Sequence, residues 1–217
     1  MVMPPKIAPA QVVLLPITKK ERDRQIVMDS VNHLAGQLQQ KSYAGRPLGV
    51  EIDSRDVGAT RNWDWIKKGI PLRVEIGPKD IEKNSVFVAR RDKPHKEKTS
   101  IETAAFVENI TGLLDEIQAN LYDRAVAYTK TNTVTVDEKE AFYQFFTPEN
   151  TERPEIHGGF VLSHWCGSAR CEETIKEALS VTIRCIPEDE SLRGADSGRC
   201  VCCGKASSSR VVFDKAY

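Results

Sequence analysis

The first fifty residues alternate between apolar and polar segments in a way that predicts a strand, a helix and a second strand. Residues 11–17 (QVVLLPI) form a short apolar run typical of a buried strand. Residues 19–41 carry apolar side chains close to a helical period, and residues 49–53 alternate again. Short joints between these segments favour a βαβ unit with two parallel strands.

The pattern continues with short elements and then one long one. Residues 63–69 predict a short helix, and residues 72–76 (LRVEI) predict a half-exposed strand because apolar and charged positions alternate. A Gly-Pro turn opens another short helix, and residues 85–91 predict a strand. Residues 102–130 show one continuous apolar face, which predicts a single long amphipathic helix.

A polar segment with two prolines, residues 148–154, is the best candidate for a linker. Beyond it we expect strands near residues 159–165, 180–186 and 210–213, with a helix at 171–178. The chain is therefore predicted to be an α/β protein with two domains, residues 1–132 ending in the long helix and residues 133–217.

Composition is ordinary for a globular protein, with 40% hydrophobic and 29% charged residues. The formal net charge is zero, so any attraction to nucleic acid must come from local clustering of charge. No apolar run approaches the roughly 20 residues that span a bilayer, and the first residues lack the apolar core of a signal peptide. A cytoplasmic protein is the expectation.

All six cysteines lie in the last quarter of the chain, where four of them form two close pairs. Cys166 and Cys171 are one pair, and Cys200 and Cys203 form a C-x-x-C pair. Zinc prefers four thiolates at tetrahedral positions, and two short cysteine pairs supply them. A site closed by four thiolates predicts a structural zinc ion. Cys185, alone on an apolar segment, is interpreted as a buried core thiol.

Other interpretations of the cysteines stay open. A disulfide is disfavoured in a reducing compartment, and Cys202 can replace Cys200 as a ligand because C-x-C pairs also bind zinc. A nucleophilic Cys166 assisted by His164, or a zinc enzyme with one open metal position, would make the site catalytic. His157 and His164 are interpreted as ordinary polar residues.

Residues 61–98 contain eleven lysines and arginines against six acids, together with Trp63 and Trp65. Cations that hold phosphates beside an aromatic ring on which a base can stack are what single-stranded RNA loops require. Arg73 can face the acceptors of guanine, and Asp80 can accept its protons. A solvated charged face with two tryptophans covering the core is the alternative. The RNA interpretation requires this cationic patch to face outward.

Two stretches and the cysteine pairs resemble prolyl-tRNA synthetases of the archaeal and eukaryotic type. The segment 4–13 (PPKIAPAQVV) resembles that family's entry into its anticodon-binding domain. The segment 65–80 (WIKKGIPLRVEIGPKD), followed by an Arg-Arg-Asp triplet at 90–92, is similar to the family's most distinctive block. Residues 200–205 and the terminal Ala-Tyr complete a likeness that covers nearly the whole chain.

The resemblance implies a five-stranded mixed sheet flanked by helices, joined to a small zinc-binding α/β domain. It implies that Arg73, Lys79, Asp80 and Lys96 contact the two guanines shared by all proline anticodons. It also implies that Tyr217 is directed towards a catalytic domain.

The partners that the resemblance implies are proline tRNAs and the catalytic domain of the same synthetase, through which the full-length enzyme is a dimer. That domain would use ATP, and its motifs would precede residue 1. This chain alone is therefore not expected to aminoacylate tRNA. A free-standing adaptor that binds tRNA or a protein, without ligase activity, is the alternative.

Two positions depart from the family's pattern. The family's guanine-reading glutamate is Ile66 here, and its upstream phenylalanine falls at Asn62. Ile66 cannot accept a hydrogen bond, so either Asp64 compensates or anticodon discrimination is looser than usual. Trp63 is a candidate for the missing aromatic platform.

Overall fold

The computed structural model describes residues 2–18, 20–57, 59–149, 152, 159–189, 193–194 and 197–215, which fall into two compact units. The units comprise residues 1–124 and 125–217, so the boundary lies within one long helix. The elements of the first unit, including that helix, are β1 (Val12–Pro16), α1 (Glu21–Gln39), β2 (Ser42–Tyr43), β3 (Arg46–Pro47), β4 (Val50–Ile52), α2 (Ala59–Lys68), β5 (Leu72–Ile76), α3 (Pro78–Glu82), β6 (Ser85–Arg90), β7 (Thr99–Glu102), α4 (Thr103–Glu108) and α5 (Ile110–Thr131).

The first unit is built on a five-stranded mixed sheet with the order β4-β1-β5-β6-β7. The first three of these strands are parallel, and β5, β6 and β7 are antiparallel. The chain leaves β1 through α1 to β4 and then passes through α2 to β5 on the other side of β1. The five-stranded mixed sheet flanked by helices, which the family resemblance implied, is confirmed.

The two faces of this sheet are covered by different helices. On one face Val12, Leu14 and Val74 pack with the apolar side of α1 and with α4 and α5 in the main core. On the other face Val13 and Leu15 pack with Ile70, and Trp65 of α2 lies against them. Because side chains alternate along a strand, Arg73 and Glu75 of β5 lie on this second face, opposite Val13 and Leu15 of β1. We call it the α2 face.

The strand β5 is more buried than its alternating sequence predicted. It lies at the centre of the sheet, so both of its faces are covered, and every residue but one is buried. The expectation of a half-exposed strand was wrong because it considered the strand alone, whereas β5 lies between β1 and β6 with side chains packed on both faces of the sheet.

The predicted long helix is interrupted. Its first residue, Glu102, ends the edge strand β7 and caps α4, and Asn109 separates α4 from α5. The backbone of Asn109, at φ −97° and ψ 12°, departs from helical values, although its N–H still bonds to the carbonyl of Ala105 at 3.0 Å. The apolar face runs on through the break, which is why the pattern alone concealed it.

The second unit holds a four-stranded sheet with the order β10-β13-β9-β8. Among the residues that the structure describes, this unit also has the helices α6 and α7 and a two-stranded hairpin. In chain order the strands and helices of the second unit are β8 (Thr133–Thr135), α6 (Lys139–Phe146), β9 (Phe160–His164), α7 (Ala169–Leu179), β10 (Val181–Cys185), β11 (Gly198–Arg199), β12 (Ala206–Ser207) and β13 (Arg210–Lys215). Phe142, Phe146 and Phe213 are fully buried and meet edge to face, with ring centroids 5.0–5.1 Å apart. These aromatic contacts form the centre of the second core.

Cys185 is exposed, so its interpretation as a core thiol was wrong. It lies on the edge strand β10, after an irregularity in the pairing with β13 between Ile183 and Cys185. Most of the predicted linker at 148–154, His157 and Tyr217 lie outside the described residues. Among the described helices, none is both long and apolar enough to cross a membrane.

Candidate nucleic-acid interface and metal centre

Four cysteines of the second unit converge on one point. The sulfur atoms of Cys166, Cys171, Cys200 and Cys203 all lie within 4.8 Å of one another. The Sγ of Cys166 is 3.7 Å from that of Cys171 and 3.7 Å from that of Cys203. Four sulfurs bound tetrahedrally to zinc at about 2.3 Å lie roughly 3.8 Å apart. The cluster therefore fits a four-thiolate metal site.

Two turns bring these sulfurs together. Cys166 follows β9 and Cys171 lies in the first turn of α7, and between them Gly167 takes a φ of +81°. The second pair flanks a tight turn in which the Cys200 N–H bonds to the Lys205 carbonyl at 2.8 Å, and Gly204 takes a φ of +72°. Such positive φ values are favourable only for glycine.

The electrostatics of the cluster also favour a cation. Burial raises the pKa of the Cys171 thiol, so this sulfur resists ionisation unless a positive charge is present. The Lys205 backbone N–H donates to Cys203 and lowers the pKa of that thiol to about 7. A bound divalent cation compensates the charge of four adjacent thiolates.

The structure separates the alternatives for these cysteines. Cys200 belongs to the sulfur cluster, whereas Cys202 packs against the second hydrophobic core. His164 is buried, and its Nδ1 lies 3.2 Å from the Ser207 hydroxyl, so this ring has a structural partner. Cys166 instead has two cysteine sulfurs as its close neighbours.

On the α2 face of the first unit, Arg73 is the central charged residue. Only 3% of Arg73 is exposed, and burial lowers the pKa of its guanidinium. Its Nη1 donates to Asn62 Oδ1 and its Nη2 donates to the His95 carbonyl, both over 3.4 Å. Its Nε is buried without a partner among the described residues. A guanidinium has five donors, so Arg73 is poorly satisfied by the protein itself.

An aromatic pair lies beside Arg73. Trp63 is 48% exposed, and its ring centroid is 5.2 Å from that of His95. Trp63 belongs to α2, one residue after Asn62, and the backbone carbonyl of His95 accepts from Arg73. A large exposed ring next to an incompletely bonded guanidinium is suited to an unstacked nucleobase.

Glu75 and Lys98 complete this part of the face. Lys98 Nζ lies 2.6 Å from Glu75 Oε1, and Asn62 Nδ2 donates to the same oxygen over 3.4 Å. Glu75 thus connects a fixed ion pair to the Asn62 that contacts Arg73. Sequence reasoning did not single out Glu75, Asn62 or His95 as parts of one network. The sequence did indicate that Arg73 and Glu75 share a face, because residues two positions apart in a strand point to the same side of the sheet.

Two other predicted residues form a separate group at the opposite side of α2. Trp65 donates its indole N–H to Asp53 over 2.7 Å, and Arg55 bridges Asp53 at 2.8 Å and Asp64 at 3.1 Å. Lys68 lies over the Trp65 ring, 4.1 Å from its centroid. The carboxylate of Asp64 and the indole N–H of Trp65 therefore have protein partners of their own.

The remaining predicted residues lie in surface segments. Lys79 is exposed on α3, and Lys96 is exposed in the loop between β6 and β7. Asp80 is partly buried, and its Oδ2 accepts the backbone N–H of Gly77 over 2.9 Å, which caps α3. The expectation that the cationic patch faces outward holds for Lys79, Lys96 and Trp63 but is wrong for Arg73, which lies beneath the His95 loop.

Comparison with known proteins identifies both units. Residues 11–111 match the family model of the "Anticodon binding domain", and residues 153–217 match that of "Prolyl-tRNA synthetase, C-terminal". The first unit is thus an anticodon-binding domain of the kind that aminoacyl-tRNA synthetases carry.

Relatives that match over the whole chain support the same family. The chain is 44% identical to proline–tRNA ligase 2 of Anaeromyxobacter dehalogenans, covering 100% of this chain and 43% of the relative. It is 41% identical to the proline–tRNA ligase of Protochlamydia amoebophila, covering 99% of this chain and 42% of the relative. A crystal structure of prolyl-tRNA synthetase from Cryptosporidium parvum matches with a TM-score of 0.78 at 30% identity, over 100% of this chain and 42% of that one. The chain belongs to the prolyl-tRNA synthetase family and spans less than half the length of these relatives.

Proposed function

We propose that this chain is the part of a prolyl-tRNA synthetase that recognises the anticodon loop of proline tRNAs. The observation that carries this proposal is the state of Arg73, a nearly fully buried guanidinium with two long hydrogen bonds and a buried Nε that has no partner among the described residues. Such a group costs stability unless a ligand satisfies it, and guanine O6 and N7 are the acceptors that arginine binds most often. Because the His95 loop covers Arg73, the proposal requires this exposed loop to move aside when RNA binds.

Residues around Arg73 have complementary roles in this proposal. Trp63 provides the surface on which an unpaired base stacks. Lys79 and Lys96 hold phosphates or base edges. Asp80 orders α3 through its cap and can accept guanine protons with its remaining lone pairs. Asp64 and Trp65 act from the opposite side of α2, where their internal bonds make them positioning residues more than base contacts.

The cysteine cluster is proposed to bind one structural zinc ion through Cys166, Cys171, Cys200 and Cys203. Four thiolates leave no position for water or substrate, so this ion stabilises the second unit and does not take part in a reaction. A reduced thiolate cluster also supports a cytoplasmic location.

The ligase activity is proposed to belong to a longer protein of which this chain is a part. Proline activation with ATP would then take place on a separate catalytic domain, through which the enzyme would dimerise. The chain's own contribution is to select the tRNA.

Binding of purified chain to proline tRNA and to versions with altered anticodon guanines tests the function. We expect the altered tRNAs to bind more weakly by about 1–3 kcal/mol for each guanine read. Equal affinity for proline tRNA and an unrelated tRNA would contradict anticodon recognition.

A further inference from the structure

The residues of the Arg-Arg-Asp triplet at 90–92 lie on two sides of the sheet. Because side chains alternate along a strand, Arg90 and Asp92 share one side and Arg91 lies on the other. Arg90 forms a two-point contact with the buried carboxylate of Asp92, at 2.9 and 3.1 Å, and also pairs with Glu116 at 2.5 Å. Asn120 donates to the same Asp92 over 2.7 Å. Through Glu116 and Asn120 these contacts connect the end of β6 to α5, so Arg90 and Asp92 have a structural role.

Arg91 lies on the other side of the sheet, on the α2 face. It follows Ala89 by two residues, and Ala89 is the cross-strand partner of Arg73. The Arg91 N–H bonds to the Pro71 carbonyl at 2.9 Å, which extends the pairing with the chain of β5 past the end of β6. Arg91 and Arg73 are therefore diagonal neighbours, a relation of roughly 7–8 Å that long side chains bridge.

Neither arginine forms an ion pair with an acid among the described residues. The Nε of Arg91, like that of Arg73, is buried, and it has no hydrogen-bond partner among the residues that the structure describes. Glu75 is the acid on this part of the face, but its Oε1 is held by Lys98 at 2.6 Å. Three cations and one anion leave a local excess of two positive charges. Burial lowers the pKa of Arg73, the charge of Glu75 opposes this effect, and the charge of Arg91 adds to it.

Two adjacent guanidinium groups distinguish between possible ligands. A neutral base edge would satisfy the unpaired N–H donors but would leave the repulsion between the two charges. A phosphate satisfies both, and arginine pairs bind phosphate oxygens with charge-assisted bonds. The ligand chemistry that best fits this pair is therefore an anionic oxygen group.

The loop that covers Arg73 is held to it by a weak contact. The carbonyl of His95 lies 3.4 Å from Arg73 Nη2 and occupies an acceptor position with a neutral oxygen. Residues 93–97 around it are exposed, and the side chain of His95 also pairs with the ring of Trp63. Replacing a weak neutral acceptor by a phosphate is favourable because bonds to charged acceptors are about twice as strong.

We propose that Arg91 and Arg73 together bind one backbone phosphate of the RNA, an assignment that rests on the tRNA-binding function proposed above. The phosphate displaces the His95 loop and meets the Nε edges of both arginines. The Nη edge of Arg73, which faces Asn62, stays available for a base. Arg91 is thus a further RNA-contacting residue that neither the charge count nor the resemblance had singled out.

Salt dependence of binding tests this site. The affinity of the chain for a proline-tRNA anticodon stem-loop is measured over a series of salt concentrations for the unaltered chain, Arg91→Met and Arg91→Lys. Arg22→Met is the matched control, since Arg22 lies on α1, on the opposite face, with its side chain 75% exposed. Loss of one phosphate contact to a single strand makes the slope of log K against log salt shallower by about 0.7.

For Arg91→Met we expect that shallower slope and a loss of affinity on the order of tenfold, the size of one charge-assisted hydrogen bond. The same loss is expected for a stem-loop with altered anticodon guanines, because a phosphate contact is independent of sequence. Arg91→Lys should retain most of the slope, and Arg22→Met should retain the slope and the affinity.

The thermal unfolding temperature of Arg91→Met is expected to stay the same or rise, because one of two repelling charges is removed. A marked fall would show that Arg91 is structural and would overturn the proposal, as would an unchanged slope or a loss confined to guanine-containing anticodons. Failure of the unaltered chain to bind any stem-loop would refute the proposed function together with this site. Normal binding with an unchanged slope in Arg91→Met would refute this site alone.

Discussion

Replacement of Cys203 by serine is expected to release the zinc ion and unfold the second unit. The Cys203 sulfur lies 3.7 Å from that of Cys166, at the exposed side of the cluster, so the substitution removes a ligand without disturbing the hydrophobic core. A hydroxyl is a poor replacement for a thiolate, because it stays protonated at neutral pH and binds zinc weakly.

The expected magnitude follows from two comparisons. Structural zinc sites contribute about 10–16 kcal/mol of binding free energy at neutral pH. The net stability of a domain is only about 5–15 kcal/mol. The described part of the second unit has a core cluster of eight buried apolar residues, which includes Phe142, Phe146 and Phe213. Loss of the metal therefore removes a free energy comparable with the whole stability of the unit.

The assay combines metal content with local unfolding. Zinc per chain is measured by mass spectrometry, and amide hydrogen exchange is followed separately in residues 1–124 and 125–217. Cys203→Ser should lose zinc and exchange rapidly in the second unit alone. Cys185→Ser is the control, because Cys185 is an exposed thiol outside the cluster, and Cys202→Ser should likewise keep the metal. One zinc ion per chain retained in Cys203→Ser, with unchanged exchange, would refute the four-thiolate site.

Three further predictions concern the first unit. Arg73→Ala should weaken binding to proline tRNA by about 1–3 kcal/mol more than it weakens binding to tRNAs with altered anticodon guanines, on which only the phosphate contact is lost; equal losses on both would make Arg73 only a phosphate contact. Ile66→Glu should increase the ratio of affinities for proline tRNA over anticodon-altered tRNA, whereas an unchanged ratio would place Ile66, which is 9% exposed, outside the reading surface. Asp53→Asn should lower the free energy of unfolding, measured by urea denaturation at pH 7, by about 2 kcal/mol, because hydrogen bonds to a charged group contribute about this much. The hydrogen bond from Arg55 holds the pKa of Asp53 well below its ordinary 3.8, so the carboxylate stabilises the fold above that pH. The difference between the two proteins should shrink as the pH falls below 3.8, and a difference independent of pH would contradict the ion-pair explanation.

Much of the fold could be predicted from the sequence because its strands and helices have clear apolar periods. The strand β1 and helix α1 were located within two residues at each end. The break at Asn109 was missed because the apolar face continues on both sides of it. The edge strand β7 was missed because its polar residues carry no alternating signal, and it is the backbone pairing with β6 that defines it.

The two sites differed in how far sequence reasoning could reach. Paired cysteines at short spacing indicate a candidate metal site directly, because the ligands themselves form the motif. Whether Cys200 or Cys202 belongs to the sulfur cluster depended on one turn and needed the structure. The burial of Arg73 was unpredictable from its strand, since it depends on α2 and on the His95 loop, which lies more than twenty residues away.

Chemical protection of guanine N7 tests anticodon recognition most directly. Proline tRNA is treated with dimethyl sulfate alone and with saturating chain, and methylation is read at each guanine. Recognition through Arg73 predicts protection of the two guanines shared by proline anticodons, and loss of that protection at one of them in Arg73→Ala. Full methylation of both guanines in the presence of bound chain would contradict it.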